Sequence, residues 1–294
     1  MTLPYTGLAV LCLIWGLSIP ATKFGVMAMP PILLATLRYA VAAPFFAILA
    51  WRGPRPSRRD LATLAILGIF GIDVGQVAQA MGVAHTSAAV ATVLSATIPI
   101  LVAVLGAWRL HQKLRPVHIA GLLVAATGVA VIAVAREGVG HAALLGIALM
   151  LLSAFAISVY YTMAAEMAGR LPAAVIAAWS SLFGTLPLIV ALPWMQHAAM
   201  TPMGVASVLY LGLLVTVAGV WVWFFVLHRV PVRIAAGTQY VQPVIGVAAS
   251  ALLLGDRLGT GFYVGGLLVL AGIALVAQRA RPAHAQVRPG LDAG

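Results

Sequence analysis

Long apolar runs alternate with short polar links along almost the whole chain. Ten runs approach the roughly 20 apolar residues that an α-helix needs to cross about 30 Å of hydrocarbon. This pattern predicts an all-α membrane protein with ten transmembrane helices. The predicted helices cover residues 3–23, 31–51, 60–81, 86–108, 117–135, 142–165, 172–194, 203–227, 232–254 and 259–279.

The apolar pattern is repeated at a constant offset of 144 residues. Each copy has an apolar segment, a short polar turn and a second apolar segment with small residues at spacings of seven. Because a duplication decides the architecture, we predict two five-helix repeats, 1–137 and 138–279, and a disordered cytoplasmic tail, 280–294. The identical pairs are Gly68/Gly212, Gly75/Gly219, Pro99/Pro243, Ala107/Ala251, Leu110/Leu254, Leu114/Leu258, Gly121/Gly265, Leu123/Leu267 and Gly128/Gly272.

Composition explains the apolar pattern, because the chain is 63% hydrophobic and only 8% charged, with a mean hydropathy of +1.08. A soluble domain could not cover that surface, so lipid is the expected solvent. The net charge of +11 does not indicate nucleic acid, since the basic residues form short clusters between apolar runs. The one cysteine, Cys12, excludes an intrachain disulfide and a thiolate metal cluster. We expect no cofactor.

Lysine and arginine predict the orientation. With the N-terminus inside, the cytoplasmic links and tail carry thirteen of these residues, whereas the external links carry only Lys23, Arg136 and Arg257. This bias predicts that both termini are cytoplasmic. Because each half has an odd number of helices, five, the two repeats have opposite orientations in the membrane. Inverted repeats are typical of secondary transporters that work by alternating access.

Four ordered segments resemble the EamA-type members of the drug/metabolite transporter superfamily, in particular bacterial exporters of aromatic and neutral amino acids. The resemblance covers about residues 3–279. It implies ten helices, a bacterial cytoplasmic membrane and efflux of small metabolites. Members of the family typically carry a Gly-Glu pair in the repeated turn, where this chain has His111-Gln112 and then Gly255-Asp256. The segments are IWGLSIPATKFG at 14–25, PPILLATLRYAVAAP at 30–44, LHQKLRPVHIAGLLVAATGV at 110–129 and QPVIGVAASALLLGDRLGTGFYVGGLLVLAG at 242–272.

Polar side chains inside the predicted helices are candidates for a binding site. Asp73, Gln76 and Gln79 lie within about 120° on the third helix, at about 100° per residue. Asp73 is a candidate proton carrier, and a hydrogen-bonded structural carboxyl is the alternative. Gln239 and Gln242 lie on one face of the ninth helix beside Pro243, and two amides facing lipid would be costly, so they favour a cavity.

The remaining candidates have a packing alternative of equal or greater weight. Ser95 corresponds to Gln239 at the repeat offset and could simply bond between helices. Trp15 and Ser18 share a face of the first helix, and Trp15 lies far from the interfacial belts. With Tyr160 and Trp223 it could form an aromatic wall for apolar side chains. For Arg38, we expect structural pairing or snorkelling rather than substrate contact.

The sequence therefore favours a secondary transporter that exports amino acids or similar small metabolites with broad specificity. Without a nucleotide-binding motif, transport must follow the substrate gradient or be coupled to an ion. A proton-coupled exporter of drugs or other metabolites is the alternative. An intramembrane enzyme is disfavoured, because no nucleophile–base set or metal-ligand cluster occurs at membrane depth. The small residues of the fifth and tenth helices leave a monomer and a homodimer open.

The inverted arrangement predicts that the two copies of the polar turn face opposite sides of the membrane. Single cysteines at Gln112 and at Gly259, with the native Cys12 replaced by serine, should react with an impermeant thiol reagent from opposite sides. The turn at 109–115 should be cytoplasmic and the turn at 255–259 external. Labelling from the same side would contradict the inverted repeat.

Overall fold

The computed structural model describes residues 2–109, 116–134, 141–195, 200–227, 229, 241–256 and 258–277. All regular secondary structure in these ranges is helical, as predicted. The α-helices are α1 (Thr2–Gly16), α2 (Ser18–Ala28), α3 (Pro31–Arg52), α4 (Arg58–Gly68), α5 (Gly75–His85), α6 (Ala88–Ser95), α7 (Ile98–Arg109), α8 (Pro116–Val134), α9 (His141–Met167), α10 (Ala173–Ala191), α11 (Pro202–Leu209), α12 (Gly219–Leu227), α13 (Val241–Leu254) and α14 (Thr260–Ala277).

Several of these helices join into rods of membrane length. Seven rods are long and apolar enough to cross a bilayer, and three shorter apolar helices accompany them. The chain is therefore a multi-pass membrane protein by composition and length. The seven rods are Tyr5–Ala28, Pro31–Arg52, Arg58–His85, Ala88–Arg109, Ala143–Met167, Ala173–Trp194 and Pro202–Trp223; the shorter helices are Pro116–Ile132, Val241–Leu254 and Thr260–Leu275.

Exposed tryptophans mark the ends of these rods. Trp51, Trp108 and Trp194 are 82%, 72% and 81% exposed and lie within one residue of the end of their helices. Tryptophan collects at both membrane–water interfaces, where its ring is apolar and its N–H remains hydrated. Their placement agrees with a bilayer around the rods.

The structure corrects several boundaries of the predicted helices. The first rod continues to Ala28, five residues beyond the predicted end at 23, and the third continues to His85 rather than 81. The rod that contains Pro99 is interrupted at Ala96, because proline provides no N–H for the preceding turn. Residues 232–240 of the predicted ninth helix and the predicted tail 280–294 lie outside the described residues.

Two rods contain π-helical segments that their apolar pattern did not predict. One segment is Ile69–Val74, between α4 and α5, and the other is Tyr210–Ala218, between α11 and α12. The two overlap when the offset of 144 residues is applied. The helices before them also begin at equivalent positions, Arg58 and Pro202, and each start is capped by the preceding hydroxyl: Ser57 Oγ accepts from Asp60 N, and Thr201 Oγ1 accepts from Gly204 N.

Helices α8 and α14 pack closely through glycines that correspond in the two copies. A Cβ added to Gly128 would lie 2.5 Å from the carbonyl oxygen of Gly265, and one added to Gly265 would lie 2.6 Å from that of Gly128. The second crossing brings Gly272 against the carbonyl of Gly121. Residue numbers rise along one helix as they fall along the other, so the helices are antiparallel. The counterparts of Gly128 and Gly265 are Gly272 and Gly121, so each of the two contacts is the image of the other, which is the pattern of a twofold contact.

A second pair of corresponding contacts, each between one half of the chain and the other, involves the π-containing rods. Gly68, at the end of α4, packs onto α10 at the Ser180 carbonyl. Its counterpart Gly212 packs onto α3, where an added Cβ would lie 2.9 Å from the carbonyl oxygen of Arg38. Each of these rods therefore rests on a helix from the other half of the chain.

We expect the glycine crossing of α8 and α14 to tolerate no methyl group. Gly128→Ala should lower the free energy of unfolding by about 1–3 kcal/mol, because overpacking against rigid backbone forces the helices apart. Gly106→Ala in α7 is the matched control, since an added Cβ there meets nothing within 4 Å. Thermal unfolding of both variants in detergent micelles measures the difference. Equal stability of the two variants would contradict the close crossing.

Candidate functional site

A small polar cleft lies between four of the rods. Its cavity volume is about 10 Å³, which is room for about one water molecule. Its wall comes from the rods Tyr5–Ala28, Pro31–Arg52, Arg58–His85 and Pro202–Trp223. Two of the amides predicted from the sequence, Gln76 and Gln79, line it. The complete lining is Thr22, Leu34, Ala35, Arg38, Gln76, Gln79, Ala80 and Leu211.

Arg38 is the charged group of this cleft. Its Nε donates to Thr216 Oγ1 at 2.9 Å, and its Nη1 donates to Gln76 Oε1 at 3.0 Å. The guanidinium carbon lies 5.3 Å from the ring centroid of Tyr39, within the range of a cation–π contact. These bonds are structural pairing of the kind expected from the sequence, and they connect α3 to both π-containing rods.

Gln79 and Thr22 complete the polar part of the lining. The hydroxyl of Thr22 donates to the Ser18 carbonyl at 2.8 Å, so its hydrogen is used within its own helix. Gln79 is half-buried, and the described residues offer its amide no hydrogen-bond partner. Its donors and acceptor therefore remain for a ligand or for water.

Trp15 lies next to this region and is fixed by backbone contacts. Its Nε1 donates to the Val215 carbonyl at 3.0 Å, and its ring lies 5.7 Å from that of Trp223. The absence of a side chain at Gly219 gives the indole room. The predicted aromatic pair of Trp15 and Trp223 thus forms, although neither residue belongs to the cleft lining. The hydrogen bond from Trp15 to Val215 joins the first rod to the second π segment.

The hydroxyls of Ser18 and Ser95, which the sequence suggested as binding groups, donate to backbone carbonyls of their own rods. Ser18 Oγ donates to the Trp15 carbonyl at 2.6 Å, and Ser95 Oγ donates to the Ala91 carbonyl at 2.9 Å. Ser95 lies directly before the interruption at Ala96. Neither side chain lines the cleft.

Tyr160 packs against the third rod but does not line the cleft. Its ring fills the space next to Gly71, and its hydroxyl is 3.3 Å from Ser180 Oγ. It also packs on the buried cluster that contains Leu64. The structure therefore places Tyr160 in a joint between α9, α10 and the third rod, outside the cleft lining.

Asp73 lies in the first π segment. Its Oδ1 is buried and has no hydrogen-bond partner among the described residues. The neighbouring Gly75 packs closely on α9, where an added Cβ would lie 3.0 Å from Ile157 Cγ1. An intramembrane carboxyl without a partner is a candidate for proton exchange.

The two predicted glutamines of the ninth span have different outcomes. Gln239 lies outside the described residues. Gln242 is the second residue of α13, and its carbonyl oxygen would lie 3.2 Å from a Cβ added to Gly16 of the first rod. Gln242 is thus close to the first rod but does not line the cleft.

Two charged residues have contacts that the sequence did not predict. Lys23 Nζ donates to the carbonyls of Val83 and Thr86 at 3.0 and 2.8 Å, at the end of α5. Asp256 Oδ2 accepts from Ala89 N at 2.9 Å, at the start of α6. Charges of these signs stabilise the helix termini that they contact. Asp256, the acid in the second copy of the repeated turn, therefore connects the link between α13 and α14 to the start of α6.

Membrane-length apolar helices around an internal cleft lined by Arg38, Gln76 and Gln79 define a multi-pass membrane protein. Comparison with known proteins identifies its family. The model of the EamA-like transporter family matches residues 3–134 and again residues 144–278. The chain therefore belongs to this family, within the drug/metabolite transporter superfamily.

Two relatives are named for the solutes that they carry. A probable terminal-alkyne amino-acid exporter of Streptantibioticus cattleyicolor is 32% identical, over 90% of this chain and 90% of its own length. A probable amino-acid metabolite efflux pump of Salmonella typhimurium is 28% identical, over 88% of this chain and 90% of its own length. A protein of known crystal structure shares the fold, with a TM-score of 0.63 and 19% identity over 94% of this chain and 96% of its own.

The position of Asp73 predicts a loss of pH dependence on its replacement. Asp73→Asn keeps the shape of the side chain but cannot exchange a proton, so an imposed pH gradient should no longer alter transport in liposomes, whereas solute binding should persist. Asp60→Asn is the matched control, because Asp60 lies at the start of α4 beside Arg170, 3.4 Å away. If the wild type itself does not respond to the gradient, Asp73 is a structural residue.

Proposed function

We propose that this chain is a secondary transporter that exports amino acids or similar small metabolites across the bacterial cytoplasmic membrane. Ten transmembrane helices form two inverted five-helix repeats, with both termini in the cytoplasm. The repeats exchange conformations, so that the cleft opens alternately to each side. Specificity is broad, and no cofactor takes part.

This proposal rests on the two corresponding glycine contacts between α8 and α14. Gly128 meets Gly265 and Gly121 meets Gly272 across antiparallel helices that correspond at an offset of 144 residues. The family model also matches each half of the chain separately. Two related halves in opposite orientations supply two equivalent conformations, and a cleft between the halves is then accessible in turn from each side.

The cleft supports a small polar solute. Its wall combines amides with apolar residues such as Leu34 and Leu211. The cavity of about 10 Å³ has room for about one water molecule, so the solute enters in a conformation that is open to one side of the membrane. Neutral hydrogen bonds contribute about 1 kcal/mol net each, which suits a carrier that must release its solute. Together with the names of the two relatives, this lining favours amino acids.

A proton-coupled exporter of drugs or other metabolites is the second candidate. The observation that favours it is the buried, unpartnered Oδ1 of Asp73 in the first π segment. Single π-helical turns inside α-helices occur frequently at functional sites. Coupling at Asp73 is compatible with either class of solute.

Uptake of a radiolabelled amino-acid panel into liposomes that contain the purified protein tests the proposal. We expect several neutral amino acids to be carried, and Gln79→Ala and Trp15→Ala to reduce the rate severalfold. Thr127→Ala is the matched control, since Thr127 is exposed on α8 and its hydroxyl only donates to the Leu123 carbonyl. Absence of flux for every member of the panel, or a larger effect of Thr127→Ala, would contradict the proposed function.

A further inference from the structure

We infer that Arg38 binds the carboxylate of the transported solute, so that this protein selects metabolites with a free carboxylate group. The inference rests on the proposed function and specifies the solutes of the same cleft. It assigns to Arg38 a role in addition to its structural bonds.

Arg38 lies deep enough for its charge to be costly. It is the eighth residue of α3, which begins at Pro31, so at 1.5 Å per residue it is about 10 Å from the start of the helix. A charge inside the hydrocarbon is retained where it faces a bundle interior or a solute pathway. Arg38 does face such an interior, because its side chain lines the cleft with Gln76 and Gln79.

The described residues do not neutralise this charge. Both hydrogen-bond partners of Arg38, Gln76 and Thr216, are neutral. The described acids are engaged elsewhere or do not contact it: Asp60 lies beside Arg170, Glu166 pairs with Arg109, Asp256 accepts from Ala89 N, and the buried Oδ1 of Asp73 makes no hydrogen bond. The cleft is therefore positively charged before a solute enters.

The Arg38 guanidinium also has N–H groups that make no hydrogen bond to the described residues. It carries five N–H groups in one plane, and the described contacts use one at Nε and one at Nη1. Three N–H groups remain, including both on Nη2. That number is sufficient for a bidentate bond to a carboxylate, the strongest pairing available to arginine.

The neighbours of Arg38 hold this group in place. Thr216 Oγ1 accepts from Arg38 and donates to the Leu211 carbonyl at 2.8 Å, so its orientation is fixed. The ring of Tyr39 lies close to the guanidinium, 5.3 Å from its carbon to the centroid. A donor set fixed in advance loses little side-chain entropy when an anion binds.

The same cleft can bind the other end of an amino acid through neutral groups. The amide oxygen of Gln79 is able to accept from an ammonium group, and Leu34 and Ala35 provide apolar contacts on the same wall. An amine without a carboxylate would meet an uncompensated positive charge. The electrostatics of the cleft therefore favour zwitterions and monocarboxylates over cations.

The test compares an amino acid with its own amide, which keeps the side chain and the ammonium group but loses the negative charge. Leucine and leucinamide form such a pair, and uptake into liposomes with competition by each unlabelled compound gives their relative affinities. We expect the wild type to prefer leucine by roughly tenfold or more, the effect of one charge-assisted pair. Arg38→Gln should abolish the preference, whereas Arg38→Lys should keep it with weaker binding.

Two outcomes would overturn the inference while leaving the proposed function intact: equal affinity of the wild type for leucine and leucinamide, or an undiminished preference in folded Arg38→Gln. If Arg38→Gln does not fold, the comparison in the wild type decides. Thr216→Val, which removes one structural bond but keeps the charge, should retain the preference for leucine. Flux of no amino acid at all would instead contradict the proposed function.

Discussion

Hydrocarbon offers no hydrogen bonds, so each backbone polar group inside a membrane must find its partner within the protein. The structure meets this constraint where its helices are irregular. In the second π segment, the Val215 carbonyl accepts from Trp15 and the Leu211 carbonyl accepts from Thr216. At the end of α5, Lys23 bonds to the exposed carbonyls. The bonds of Trp15 and Lys23 join different rods, so the irregular parts of single helices also connect the helices of the bundle.

Close backbone contact supplies the second kind of joint. Helix association in lipid has little hydrophobic driving force and depends on van der Waals contact between small residues. At Gly128 and Gly265 the backbones approach so closely that no Cβ fits on either side. The rods that carry Gly68 and Gly212 rest on α10 and α3 in the same exchanged manner. In the proposed alternating access, closely packed helix pairs of this kind would move as rigid units.

The cleft connects these joints to solute binding. Arg38 and Thr216 belong both to the contact between α3 and the second π segment and to the cleft or its immediate support. Gln76 lies two residues after the first π segment and bonds to the same guanidinium. In the proposed transport cycle, a solute in the cleft would act on the two rods whose helical geometry is irregular through these hydrogen bonds.

The site residues separate into those that the sequence indicated correctly and those that required the fold. Gln76 and Gln79 do line a cleft, because polar groups spaced three residues apart on an apolar helix must face the same protected side. Ser18, Ser95 and Tyr160 bond to carbonyls or to another helix instead. A hydroxyl can always satisfy itself on the preceding turn, so its presence in an apolar run does not distinguish a site from a packed interior. An amide cannot do so as readily.

The sequence by itself determined that the chain is helical, that lipid is its solvent and that its two halves are related, because apolar run length and the 144-residue offset are properties of the chain alone. Tertiary structure alone decided the π segments, the helix-terminal contacts of Lys23 and Asp256, and the place of Arg38 in a cleft with Gln79. These features depend on which residues of distant rods meet. Hydrophobic periodicity records only which side of a helix is apolar, and in a membrane both the lipid face and the packed face are apolar.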